Sequence, residues 1–280
     1  MRFATTLDDD GYHLVAVRDG RFIRVPNGNP WPGSMRSLAA GGASALERIA
    51  TWLDGQPDSA LQPFAGARLG PAVADPGAVF TIGLNYDGGD EPAPERPMVF
   101  GKLPSAVAGH GATLSWDRAL TDNVDAEAEL GVVIGSSAFH VDAADAMRHV
   151  FGYTCINDVS SRDAWLDGDQ WLLGKSMPGF CPVGPVVVTP DELPDPTNLL
   201  LGCTINGAAI QDGSTAQMRF AIPDLIAFLS RHVPLRPGDL IATGTPPRLP
   251  APPGPGRRLL AGDAVSVWIE GIGELTNPVA

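Results

Sequence analysis

The feature that most constrains the fold is a series of short β-rich runs that dominates the chain from about residue 76 onward. Their content of valine, isoleucine, threonine and aromatic residues is typical of strands. We predict strands at 78–82, 98–100, 130–134, 153–156, 186–188, 203–205, 240–243 and 264–268, and helices at 142–149 and from 222 onward. The strands do not alternate regularly with helices, so a doubly wound parallel sheet is not expected. The pattern therefore predicts an α+β fold.

Residues 1–72 predict a small α+β unit of their own. Two β-rich runs flank Asp19-Gly20, which is typical of a hairpin turn. Ser44 and Glu47 have the spacing of a capping box, and the apolar residues behind them repeat with helical periodicity. We therefore predict a helix that begins at Ser44 and is closed by Gly55.

Composition and charge exclude several classes of protein. Hydrophobic residues make up 44% of the 280 residues and charged residues 18%, which is enough apolar material for a packed core and excludes a disordered chain. Lysine and arginine number 19 against 32 acidic residues, a net charge of −13 that repels nucleic acids and anionic membranes. Three scattered cysteines, an N-terminus without a secretory signal and the absence of a long apolar run predict a cytoplasmic protein.

Only two of the basic residues are lysines, Lys102 and Lys175. In a chain that otherwise uses arginine, a retained lysine can mark a place that needs a compact ammonium group and does not accept a planar guanidinium. Chance survival is the alternative, and the count alone does not decide between the two.

Acidic residues alternate with alanines over 125–129, directly before the apolar run 130–134. Because alternate residues of a strand share a face, we expect the three carboxylates on one face of a strand. Like charges at this spacing repel, and an all-oxygen cluster suits Mg²⁺, Mn²⁺ or Ca²⁺. A solvated acidic edge is the alternative. Asp158, at the end of another predicted strand, can complete a metal site or cap a helix.

Other catalytic motifs are missing from the sequence. There is no G-x-S-x-G elbow, no H-E-x-x-H spacing and no strand–GxGxxG–helix pattern, so a nucleophile triad and a nicotinamide cofactor are not indicated. The five histidines are expected to be structural. Gly244 and Thr245 follow a predicted strand, where backbone N–H groups can hold an anion or form an ordinary turn.

Seven ordered motifs resemble those of the fumarylacetoacetate hydrolase family. They are Ile82-Gly83-Leu84-Asn85-Tyr86, Phe100-Gly101-Lys102, the acidic segment 125–130, the stretch 151–163 with Asn157-Asp158 and Arg162-Asp163, Gly174-Lys175-Ser176, Ile205-Asn206-Gly207, and Pro237-Gly238-Asp239 with Thr243-Gly244-Thr245-Pro246. The resemblance covers about 78–279. It implies a mixed β-roll or β-sandwich catalytic domain over 73–280, the small N-terminal α+β domain over 1–72, and a homodimer.

The resemblance also implies a metal site and its substrate class. Mg²⁺ or Mn²⁺ is expected on Glu127, Glu129 and Asp158, with a dicarbonyl or 2-oxo acid substrate chelated through its oxygens. Such a metal polarises a carbonyl and stabilises an enolate. Lys175 and Arg162 match catalytic positions, although a structural salt bridge is the alternative for Arg162. The implied substrate-binding residues are Tyr86, Lys102, Trp165, Gly244 and Thr245.

Three segments depart from the family pattern. The motif N-Y-x-x-H-x-x-E has Gly89 in place of the histidine and Pro92 in place of the glutamate, so the pair that orients a water or moves a proton is missing. Nearby acids of the same loop have free pKa values far below that of a histidine. Trp165 stands where relatives that hydrolyse diketo acids often have glutamine. Arg248 follows the Thr-Gly-Thr-Pro motif at a position where glycine is common, and it can reach into the site or point to water.

Three functions remain open at this level. The family default is metal-dependent hydrolysis of a C–C bond in an acylpyruvate or other diketo acid. The second is decarboxylation, tautomerisation or rearrangement, which needs no activated water. The third is a non-catalytic binding protein, against which the retained acids Glu127, Glu129 and Asp158 argue.

Overall fold

A computed structural model describes residues 1–89, 92–163, 170–250 and 258–280. Within these ranges the chain forms seventeen strands and four α-helices, which confirms the predicted α+β class. The strands are β1 Arg2–Asp8, β2 Gly11–Arg18, β3 Arg21–Arg24, β4 Gln62–Pro63, β5 Val79–Gly83, β6 Met98–Lys102, β7 Val107–Ala108, β8 Val124–Asp125, β9 Ala128–Ile134, β10 Val150–Asn157, β11 Ser160–Ser161, β12 Cys181–Val188, β13 Leu200–Ile205, β14 Ala208–Ser214, β15 Leu240–Ala242, β16 Ala264–Ile269 and β17 Gly273–Pro278. The helices are α1 Met35–Asp54, α2 Ala143–Ala146, α3 Trp171–Lys175 and α4 Ile222–His232.

A large mixed sheet and a smaller antiparallel sheet form the body of the fold. The large sheet has the order β4-β3-β2-β1-β12-β10-β9-β15-β5-β6, with β7 added alongside β12, and the small sheet has the order β14-β13-β16-β17. In the large sheet β15 runs parallel to β5 and β7 parallel to β12, whereas the other pairs are antiparallel. Strands β8 and β11 form a separate short pair.

Strand β9 is buried on both faces, and its alternating side chains enter two different cores. Val132 packs in the cluster that contains Val265 and Val267 of the small sheet. Val133 packs in the cluster that contains Leu38 of helix α1. Because successive side chains of a strand point to opposite faces, one continuous apolar run supplies both cores. This explains why the predicted strand at 130–134 reads as uninterrupted hydrophobic sequence.

The N-terminal strands continue the large sheet. Strand β1 pairs antiparallel with β12, with Arg2 opposite Val188 and Phe3 opposite Val187. The hairpin predicted at Asp19-Gly20 joins β2 to β3 and is confirmed. The division into domains at 72 stays a prediction.

Each of the eight predicted strands overlaps a strand of the structure, and the first helix has an additional segment upstream of its predicted start. Helix α1 begins at Met35, and the Ser34 side chain caps it by accepting the N–H of the residue three positions on. The backbone is non-helical at Gly42, whose φ is 55°, so two helical segments join there, and the second segment begins close to the start predicted at Ser44. The predicted end at Gly55 is confirmed. None of the helices in the described ranges has the length and hydropathy that a membrane crossing requires.

Candidate metal centre

Carboxylates from two neighbouring strands meet at one end of the large sheet. Glu129 lies in β9, Glu127 just before it, and Asp158 directly after β10. The two strands are antiparallel, so the start of β9 lies beside the end of β10, and the Asp158 N–H donates to the Glu127 carbonyl at 3.0 Å. One oxygen of each carboxylate lies within 4.8 Å of the others. The structure thus brings together the three residues predicted as metal ligands.

The acidic segment 125–129 is not one continuous strand. Strand β8 ends at Asp125 and β9 begins at Ala128, so the expectation that three acids share one strand face is wrong. The chain turns between the two strands because β8 pairs with β11, whereas β9 pairs with β10. Asp125 is thereby separated from the metal-ligand group, and Asp158 of the neighbouring strand takes the third place.

Lys102 is a buried cation that contacts Asp158. Its Nζ lies 2.6 Å from Asp158 Oδ1 and donates to the carbonyls of Val159, Lys175 and Phe180 at 2.8, 2.6 and 2.7 Å. The ammonium group is fully buried. Its three N–H groups therefore face four protein oxygens, an arrangement that holds Asp158 and two backbone segments in place. Its role in binding substrate stays a prediction.

Lys175 reaches the same carboxylate from the end of α3. Its Nζ donates to Asp158 Oδ2 at 2.5 Å and to Ser160 Oγ at 3.0 Å, and it lies 3.7 Å from Glu127 Oε2. The chain's two lysines therefore both contact Asp158. A planar guanidinium does not fit two such compact sites, which supports the interpretation that both positions need a compact ammonium group. Ser160 was not singled out from the sequence, although its place two residues after Asp158 in the motif was the available signal.

The three carboxylates differ in protonation because their surroundings differ. Burial alone raises the pKa of Asp158, but Lys102 and Lys175 outweigh it and lower the pKa to about 2. Burial also raises the pKa of Glu127, but the charges of Arg162 and Lys175 outweigh it and lower the pKa below its ordinary value. Burial and the charges of Asp158 and Glu127 raise the pKa of Glu129 well above its ordinary value. Glu129 is therefore the carboxyl group of the three that most readily holds a proton.

Arg162 and Arg248 flank the cluster on the Asp125 side. Arg162 donates from Nε to Asp125 Oδ2 at 2.8 Å and from Nη2 to Glu127 Oε1. Nη2 of Arg248 lies 2.7 Å from the same Asp125 oxygen. Arg162 thus fixes a metal-ligand candidate, and Arg248 reaches the rim of the site. The catalytic role of Arg162 stays a prediction.

Gly244 and Thr245 direct their donors toward protein oxygens. The Gly244 N–H donates to Glu129 Oε2 at 2.7 Å, and Thr245 Oγ1 donates to the Ala128 carbonyl at 2.8 Å. Glycine is required at 244, since φ is +100° and a Cβ there would lie 2.7 Å from the Asn85 Cβ. Both residues therefore position the acidic segment. The sequence analysis missed Gln211, which binds the Ala128 N–H at 2.8 Å and Thr245 Oγ1 at 2.7 Å.

The remaining predicted positions are placed as follows. Tyr86 is buried, its hydroxyl lacks a hydrogen bond to any described group, and burial together with Glu129 raises its pKa. Gly89 and Pro92 are exposed. Trp165 lies outside the described residues. All five histidines are described, and none forms a hydrogen bond or ion pair with the carboxylates of the centre; they contact Asp10, Thr276, Phe139, Ser136 and Phe228.

The donor set fits a divalent cation that prefers oxygen. Three carboxylates converge, and burial together with the charges of Asp158 and Glu127 raises the pKa of Glu129. A divalent ion relieves the repulsion between the carboxylates. An all-carboxylate set favours Mg²⁺ or Mn²⁺ over zinc. Glu127, Glu129 and Asp158 are the residues that would hold it.

Comparison with known proteins identifies the family. The model of the family described as fumarylacetoacetate (FAA) hydrolase C-terminal matches residues 78–280. A fumarylacetoacetate hydrolase from Exiguobacterium antarcticum is 31% identical with a TM-score of 0.86, covering 100% of this chain and 99% of that one. A 5-carboxymethyl-2-hydroxymuconate delta-isomerase from Mycobacterium smegmatis is 32% identical with a TM-score of 0.77, covering 100% and 98%.

A third solved structure carries ligands. A maleylpyruvate hydrolase from Sphingobium sp. SYK-6, in complex with manganese (II) ion and pyruvate, is 27% identical with a TM-score of 0.81, covering 100% of this chain and 99% of that one. The similar proteins thus include both hydrolases and an isomerase. The family match spans most of the chain and begins just before the first motif, which starts at Ile82. This chain belongs to the fumarylacetoacetate hydrolase family.

Proposed function

We propose that this chain is a divalent-metal-dependent enzyme that decarboxylates or tautomerises a 2-oxo acid or related dicarbonyl compound through an enolate. The observation that carries the proposal is the buried group of Glu127, Glu129 and Asp158, with the Lys175 ammonium 2.5 Å from Asp158. Oxygen ligands and a nearby cation are what the formation of an enolate requires. The manganese and pyruvate bound to the maleylpyruvate hydrolase support this substrate class.

Each residue of the centre has a distinct task in this proposal. A bound Mg²⁺ or Mn²⁺ supplies the Lewis acid that polarises the oxo group. Lys175 keeps its proton, because Asp158 and Glu127 outweigh burial and raise its pKa, so it can donate a hydrogen bond to the oxygen on which negative charge develops. Arg162 holds Glu127 in place and has donors suited to a substrate carboxylate. Lys102 fixes the orientation of Asp158.

The lost histidine favours chemistry without an activated water. Decarboxylation breaks the bond between the carbon next to the oxo group and a carboxyl group that this carbon carries, releases carbon dioxide and leaves the electron pair in the enolate, which then takes up a proton. Tautomerisation moves a proton without breaking the carbon skeleton. Neither reaction needs the imidazole that Gly89 lacks. The alternative is hydrolysis of a C–C bond, which the similarity to two hydrolases supports.

The first experiment is a calorimetric titration of the metal-stripped protein with Mn²⁺, with and without oxalate. We expect Mn²⁺ to bind and oxalate to tighten it, because oxalate resembles a chelating 2-oxo acid. Failure of Mn²⁺ to bind in either condition would remove the basis of the proposal and leave a non-catalytic protein on this scaffold.

The reaction type is tested with a substrate panel. Oxaloacetate reports decarboxylation through the formation of pyruvate and carbon dioxide, and an acylpyruvate reports hydrolysis through the release of pyruvate and a second acid. We expect decarboxylation or keto–enol exchange without hydrolysis. Lys175→Arg keeps the charge but not the compact shape and is expected to lose activity while still binding Mn²⁺. Acylpyruvate hydrolysis by the wild type would establish the alternative function.

A further inference from the structure

Arg248 is one of the chain's departures from the family pattern, and the structure places it at the rim of the metal centre. Its backbone is tied to β14, since Arg248 bridges to Gln211 and the Leu249 N–H donates to the Ile210 carbonyl at 2.9 Å. Nη2 of Arg248 lies 2.7 Å from Asp125 Oδ2 and donates to the Ala126 carbonyl at 3.1 Å. The side chain is therefore directed toward the site by contacts on both sides.

Part of the Arg248 guanidinium remains available. Its Nε and Nη1 form no hydrogen bond with any residue in the described ranges, and 34% of the side chain is exposed. Arg162 donates to the same Asp125 oxygen from the other direction, at 2.8 Å. Two guanidinium groups thus share one carboxylate oxygen, and like charges this close favour a further anion beside them. A guanidinium N–H forms a charge-assisted hydrogen bond with a carboxylate oxygen.

The balance of charge at the site also favours a second carboxylate on the substrate. The centre and its rim contain four described carboxylates and four described cations, which are Asp125, Glu127, Glu129, Asp158, Lys102, Lys175, Arg162 and Arg248. A divalent metal therefore leaves an excess of two positive charges. A 2-oxo acid with one carboxylate neutralises one of them, whereas a dicarboxylate neutralises both. A buried site with balanced charge is favoured, because unpaired charge is costly there.

We infer that Arg248 is a specificity-determining residue that binds the second carboxylate of the substrate, so that the substrate is a 2-oxo dicarboxylate. This inference rests on the proposed function, since it places the first carboxylate and the oxo group at the metal. Nη1, which has no hydrogen bond to any residue in the described ranges, provides a charge-assisted hydrogen bond to the second carboxylate. Asp125 holds the guanidinium in place from its other side.

The test compares ligands that differ only in the far carboxylate. The Mn²⁺-loaded protein is titrated calorimetrically with 2-oxoglutarate and 2-oxopentanoate, and then with 2-oxoadipate and 2-oxohexanoate to cover a longer spacing. A charge-assisted hydrogen bond corresponds to about tenfold to hundredfold in affinity. We expect a preference of at least about tenfold for the dicarboxylate in one of the two pairs. Arg248→Ala should abolish it, and Arg248→Lys should keep only part of it.

Arg258→Ala is the matched control, because Arg258 is a more exposed arginine whose ion pair with Asp122 at 3.3 Å lies outside the site. This variant should keep the full preference. Mn²⁺-dependent binding of both members of each pair with equal affinity would overturn the inference and leave the proposed function intact. Two results for Arg248→Ala would also overturn the inference: a dicarboxylate preference that survives in the variant, or an equal loss of affinity for the dicarboxylate and the monocarboxylate. Either result would assign Arg248 to the support of Asp125. Failure of every ligand to bind in the presence of Mn²⁺ would refute the proposed function and the inference with it.

Discussion

Replacement of Lys102 by methionine tests whether this lysine is the structural support of the centre. The Lys102 ammonium is fully buried, 2.6 Å from Asp158 Oδ1 and within 2.8 Å of three carbonyl oxygens. Methionine has a similar length but no charge and no donor. In the variant the buried Asp158 carboxylate therefore keeps only Lys175 of its two lysine partners. The three carbonyls lose the hydrogen bond that the Lys102 ammonium donates.

The magnitude follows from these contacts. Removal of one partner of a buried ion pair costs about 3–5 kcal/mol. The lower value applies here, because Lys175 still contacts Asp158 at 2.5 Å. Each carbonyl that loses its donor adds about 1 kcal/mol when a second bond or local shift compensates in part. We therefore expect Lys102→Met to lower the free energy of unfolding by about 6 kcal/mol, a large share of the ordinary total of about 5–15 kcal/mol.

The assay is urea unfolding of the metal-free protein, followed by circular dichroism. Arg68→Met serves as control, because this exposed cation lies 3.8 Å from Asp9 and should change stability by less than about 0.5 kcal/mol. The double variant Lys102→Met with Asp158→Asn removes the uncompensated charge and should recover about 1.5–3 kcal/mol relative to additivity. A loss below about 1 kcal/mol in the single variant, or strict additivity in the double variant, would refute the reasoning.

Three further predictions concern the same centre. Glu129→Ala should abolish Mn²⁺ binding in calorimetry, because two carboxylates leave an incomplete shell; unchanged affinity would move the site elsewhere. The pKa of Glu129 is raised, so its bound proton competes with the metal, and Mn²⁺ affinity should increase as pH rises through that pKa. Metal binding should release about one proton. A calorimetric binding heat that does not depend on the buffer's ionisation enthalpy would contradict this. Gly244→Ala should lower the free energy of unfolding by about 2–4 kcal/mol, because φ at this position is +100° and the new Cβ would lie 2.7 Å from the Asn85 Cβ. The control Gly89→Ala should leave stability unchanged, because the space around Gly89 is open.

Local sequence patterns predicted much of the fold correctly. The strand at 130–134 was found from its uninterrupted apolar run, and the hairpin at Asp19-Gly20 from its turn residues, because both signals depend only on neighbouring residues. The Ser44 capping box likewise marked the segment of α1 that follows the interruption at Gly42. The upstream segment from Met35 was missed, because its apolar residues pack in a core formed by residues that are distant in sequence.

The sequence by itself determined which residues of the centre carry charge and which family they belong to. The acids at 127, 129 and 158 and the two lysines were identifiable because their motifs are short and ordered along the chain. Only the tertiary structure decided how these groups pair. It moved Asp125 out of the ligand group, turned Lys102 toward three carbonyls and brought Arg248 onto Asp125. These contacts join residues that are far apart in sequence, and their geometry follows from strand pairing and side-chain packing, which no local pattern encodes.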